Sequence, residues 1–113
     1  MFIGVPKEIK NHEYRVGLAP SSVRELTAHG HQVVIESNAG IGIGAHDEGY
    51  EQAGAKISND PAEIFGVAEM IVKVKEPQKH ERAMLTHGQI LFTYLHLAPD
   101  AEQTADLVSS GAI

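Results

Sequence analysis

Short apolar runs recur along the chain, each rich in β-branched or aromatic residues and each separated from the next by a stretch with helical spacing. Residues 2–5, 31–36, 55–57, 70–74 and 89–94 are the five predicted strands. Between the first two, Pro20 opens a helix with an apolar stripe at Val23 and Leu26, Ser22 and Glu25 have capping-box spacing, and Gly30 supplies a left-handed stop. A short helix over 47–53 ends at Gly54, and Asp60-Pro61 is a strong start for the next. Residues 78–85 fit one more helix, and Asp100 with Gln103 has capping spacing for a last one carrying Leu107 and Val108. Strand and helix alternating in this way predict repeated βα units. The expected fold is a Rossmann-like, doubly wound α/β domain with a mostly parallel sheet and flanking helices.

The 113 residues are enough for one small domain with a single core, and short for a complete α/β enzyme. Gly111 reads as a helix stop with the first residues of a new apolar strand behind it. The expectation is that residues 1–113 form the amino-terminal part of a longer protein. Hydrophobic residues at 42% and charged residues at 21% are ordinary globular values. Nine Lys and Arg against fifteen Asp and Glu give a net charge of −6, with no basic stretch interleaved with aromatics, which argues against a nucleic-acid partner. With no cysteine there is neither a disulfide nor a thiol nucleophile, and the cytoplasm is the default compartment. No signal-like start or membrane-length apolar run is present, so no membrane role is expected.

Candidate chemistry follows from what lies just past three of the strands. Lys75 follows the fourth, His96 follows the fifth, and Arg15 lies in the loop after the first. In open parallel sheets ligands bind outside the carboxyl ends of the strands, so these three residues are expected to share one edge and form an anion site. Alternation puts Lys73 and Lys75 on the same side, with Lys75 the better placed to face a ligand. A lysine there binds a carboxylate or, desolvated, acts as base or nucleophile; the plainer alternative is a solvated loop lysine. Arg15 has the fork geometry for a carboxylate, the alternative being an ion pair with Glu8 or Glu13. His96 sits at the end of a strongly apolar run, where it is either a hydrogen-bonded core histidine or a proton-exchanging group. Two cations and one imidazole together suit an α-keto or α-amino acid.

Two other signals carry less. The run from Gly40 to Ala45 formally matches a G-x-G-x-x-A dinucleotide fingerprint, but three residues separate it from the preceding strand and an acidic helix start follows it, so it is read as a flexible loop. The seven histidines fall in no metal-ligand spacing.

The chain resembles the bacterial alanine dehydrogenases over its whole length. The resemblance is carried by Gly4-Val-Pro-Lys-Glu8, Asn11 through Arg15-Val16, His29-Gly-His31, Ala39-Gly40, Ala53-Gly-Ala55, Lys73-Val-Lys-Glu-Pro77 and Gly88 through Ala98. The related NAD(P)-binding domain of proton-pumping transhydrogenases shares the early motifs but usually lacks the lysine and histidine, so Lys75 and His96 favour the dehydrogenase. The resemblance implies NAD-dependent, reversible oxidative deamination of L-alanine to pyruvate and ammonium. In that reading Arg15 and Lys75 bind the substrate carboxylate, and His96 hydrogen-bonds the pyruvate carbonyl oxygen and aids proton transfer. It also implies a homo-oligomer, commonly a hexamer, and an NAD-binding domain outside this chain. The 113 residues alone are therefore expected to be inactive, and a non-catalytic fragment that binds a small carboxylate is the alternative.

Overall fold

The computed structural model describes residues 1–95 and 100–113. Five strands, β1 (Phe2–Val5), β2 (Gln32–Glu36), β3 (Lys56–Ser58), β4 (Met70–Val72) and β5 (Ile90–Phe92), pair in the order β3-β2-β1-β4-β5. Every pairing is parallel, from Phe2 opposite Gln32 in the centre to Val72 opposite Phe92 at the edge. The helices are α1 (Pro20–Ala28), α2 (Asp47–Gln52), α3 (Pro61–Val67), α4 (Lys79–Arg82) and α5 (Ala101–Ser110). This is the doubly wound α/β fold expected from the chain pattern.

Strand alternation divides the core between the two faces of the sheet. Ile3, Val5, Val33, Ile35 and Val72 point to one face, where they meet Val23 of α1 and Tyr50 of α2. Val34 and Ile71 point to the other, against Ile64 and Phe65 of α3. Runs that are apolar at consecutive positions are what a sheet covered on both sides requires.

Helix boundaries follow the stop residues more closely than the start residues. After α1, the N–H of His31 reaches the carbonyl of Leu26 while that of Gly30 reaches Thr27, a Schellman closure with Gly30 at φ 88°. Asp60 caps α3 through Ala62, and Asp100 caps α5 through Gln103. The Ser22–Glu25 spacing, by contrast, is not a capping box. Pro20 occupies the first helical turn and the cap position falls on Ala19, which has no side chain to offer. Past Gly111, Ile113 donates to Gln89 and accepts from Leu91, so the last residue pairs in parallel alongside β5.

Candidate active site

The chain leaves β1 for β2 on one side and returns to β4 on β1's other side, so the direction of winding reverses between β1 and β4. The loops that follow these two strands, residues 6–19 and 73–78, lie side by side at the carboxyl edge of the sheet, joined by Glu8 and by the Lys10–Glu76 ion pair. Arg15 is carried by the first loop and Lys75 by the second.

Two close approaches hold the first loop. A Cβ on Gly17 would lie 2.5 Å from the carbonyl oxygen of Val72, so only glycine lets this segment pass against the end of β4. A Cβ on Gly42 would run into the carbonyl oxygen of Tyr14, which seats the 3-10 turn Ile41–Ile43 directly on the backbone next to Arg15. The glycine run therefore forms a packed turn in place of the flexible loop expected. The hydroxyl of Tyr50 adds a third tie by donating to the Leu18 carbonyl at 2.7 Å.

The end of β4 is organised around Glu8. Its carboxylate accepts from the backbone N–H groups of Val74 at 3.0 Å and Lys75 at 3.1 Å, and from Lys73 Nζ at 3.2 Å. Lys73 Nζ is also 3.0 Å from Glu81 Oε2, and all three side chains are at most 3% exposed. The strand alternation on which a shared side for Lys73 and Lys75 was expected does not extend to them. Glu8 captures two N–H groups that a longer strand would have used, β4 stops at Val72, and Lys73 turns into a closed ion cluster while Lys75 stays partly exposed. The carbonyl of Lys75 is fixed by the Thr93 hydroxyl at 3.0 Å. Nearby, half-buried Glu36 accepts from the Lys7 N–H at 2.9 Å, and burial raises its carboxyl above the ordinary value.

Arg15 makes the ion pair that was its alternative reading. Its Nε and Nη2 donate to Glu13 Oε2 and Oε1, each at 2.9 Å, and its backbone N–H donates to the same Oε2. Hydrogen bonds from Arg15 lower the Glu13 carboxyl from 4.5 to about 2, with the charge of Lys75 a smaller contribution. The same pairing raises the Arg15 guanidinium above its ordinary value. A cleft of about 390 Å³ opens beside this group, lined by Glu8, Glu13, Arg15, Asn38 and Gly42 among others. Lys75 is not among its walls. His96 lies outside the described residues.

Three charged groups that organise the site were not singled out by position along the chain. Glu8 and Glu13 entered as alternative partners for Arg15 and within the family motifs, and Glu81 did not enter at all. One signal was present in Lys73, a charge at the tail of an apolar strand, since lysines are almost never fully buried unless paired.

Residues 4–113 match the family model described as alanine dehydrogenase/PNT, N-terminal domain. An alanine dehydrogenase of Halomonas elongata is 54% identical over 112 residues, covering 99% of this chain and 30% of that protein. One of Bacillus subtilis is 50% identical over 111 residues, covering 98% and 29%. The chain therefore spans about 30% of the length of the curated relatives it matches. Among solved structures, an L-alanine dehydrogenase superposes with a TM-score of 0.95 at 53% identity, covering 99% of this chain and 31% of that one. A transhydrogenase from Sinorhizobium meliloti superposes with a TM-score of 0.92 at 28% identity, covering 99% and 33%.

Proposed function

The chain belongs to the alanine dehydrogenase/PNT N-terminal domain family, and from that premise we propose that residues 1–113 are the amino-terminal segment of the substrate domain of an NAD-dependent alanine dehydrogenase. The reaction would be the reversible conversion of L-alanine and water to pyruvate and ammonium, with hydride passing to NAD. The transhydrogenase shares the fold, but identity near half to the alanine dehydrogenases against 28% to the transhydrogenase favours the first reading. The observation that carries the site is the presence of Arg15 and Lys75 on the two loops that Glu8 ties together at the switch between β1 and β4.

In this reading the substrate carboxylate takes the edge of the Arg15 guanidinium that Glu13 leaves open, and the Lys75 ammonium supplies the second positive charge. His96 would hydrogen-bond the carbonyl oxygen and exchange a proton with it as water adds to or leaves the imine. The described residues do not fit a dinucleotide. The glycine run packs on Tyr14, and the helix after it begins with Asp47 and Glu48, which repel a phosphate. The cofactor would be held by parts of the protein outside this chain. By the same resemblance the enzyme is a cytoplasmic homo-oligomer, a hexamer. No helix among the described residues is long and apolar enough to cross a membrane.

The test is alanine-dependent NADH formation by the full-length protein, with Arg15→Lys and Lys75→Ala beside the wild type. Loss of one charge-assisted contact to the substrate lowers kcat/KM roughly 10- to 100-fold. A folded full-length protein with no alanine-dependent rate overturns the proposal.

A further inference from the structure

We propose that Glu13 is the positioning residue of Arg15, gripping one edge of its guanidinium so that the other faces the ligand. The inference rests on the reading of Arg15 as the carboxylate ligand. A guanidinium has two edges that match a carboxylate with paired N–H groups, Nε with Nη2 and Nη1 with Nη2. Glu13 takes the first edge with two bonds of 2.9 Å. The same carboxylate accepts the backbone N–H of Arg15, so a single group ties both ends of the residue. Among the described residues no other hydrogen bond or ion pair restrains this side chain, which is 64% exposed. Among the described residues the Nη1 edge has no hydrogen-bond partner, and it belongs to a residue lining the 390 Å³ cleft.

Holding a long, exposed side chain in one geometry before the ligand arrives removes part of the ordering cost of binding. Charge points the same way. Arg15 and Glu13 cancel, and Lys75 on the adjoining loop leaves the trio with one net positive charge. That matches a substrate with one carboxylate. Without the Glu13 charge the trio carries two, which favours a dicarboxylate.

The experiment compares Glu13→Gln, Glu13→Ala and Arg15→Ala in the full-length protein, using pyruvate and oxaloacetate as substrates and the Arg15 Nε–H resonance as a readout independent of turnover. For both Glu13 variants the expected result has three parts. KM for pyruvate rises roughly 3- to 10-fold, the range of affinity set by fixing one long side chain, with kcat nearly unchanged. The ratio of oxaloacetate to pyruvate turnover rises, and the Arg15 Nε–H signal shifts. An unchanged KM in both Glu13 variants, with Arg15→Ala strongly impaired, overturns the role of Glu13 alone. A lowered KM overturns it as well, because Glu13 would then be a competitor for the guanidinium. An Arg15→Ala protein with unaltered KM overturns the carboxylate reading of Arg15 and the inference with it.

Discussion

The ammonium of Lys73 sits between Glu8 and Glu81 with its side chain 1% exposed, while the ammonium two residues on is partly open to solvent. The two lysines should therefore fail in opposite ways. Removing the buried charge leaves two carboxylates facing each other in a site that excludes water, so Lys73→Met is expected to cost about 3–5 kcal/mol of stability, read from the denaturant midpoint at constant slope. Lys75→Ala is expected to shift stability by less than about 0.5 kcal/mol and to act on substrate binding instead. Which of two like residues near a strand end is structural was not legible in Lys-Val-Lys. It depends on Glu8, sixty-five residues away in the chain, arriving under the end of β4. The pairing of Arg15 with Glu13 was legible as one of two options, because the two residues are local neighbours in the sequence.

At the level of elements, the turn at Ile41–Ile43 and the loop carrying Arg15 behave as one packed unit, joined where Gly42 meets the Tyr14 backbone. Gly42→Ala places a methyl carbon on a carbonyl oxygen that has no flexible end to move. We expect a loss of about 1–3 kcal/mol in stability from overpacking, together with a raised KM for pyruvate as the loop shifts. Unaltered melting and KM would show that the loop yields freely. Helix stops such as Gly30 and Gly111, and cap residues such as Asp60 and Asp100, were legible because their chemistry is complete within a few residues. The ends of the fourth and fifth strands were not. The predicted fourth and fifth strands run two residues past their observed ends at Val72 and Phe92, because strand length depends on the neighbour that accepts and donates the ladder bonds.

Across the whole molecule, β1 is paired on both sides and β2 lies beside it, whereas β3 and β5 have half-exposed residues at the margins. Amide hydrogen exchange is accordingly expected to be slowest in β1 and β2, around Val5 and Ile35, and markedly faster in β3 and β5. Protection of β5 equal to that of β1 would contradict this order. The sequence by itself determined the alternation of elements, the parallel α/β class and the family, and marked Arg15 and Lys75 as candidates, because periodicity, caps and motifs are written in residues close together along the chain. The tertiary structure decided the strand order, the reversal between β1 and β4 that brings the two loops together, the burial of Lys73 by Glu8 and Glu81, and the seating of the Gly42 turn. Each of these is a meeting of segments far apart in the chain, settled by which faces pack and which charges find partners once the sheet has formed.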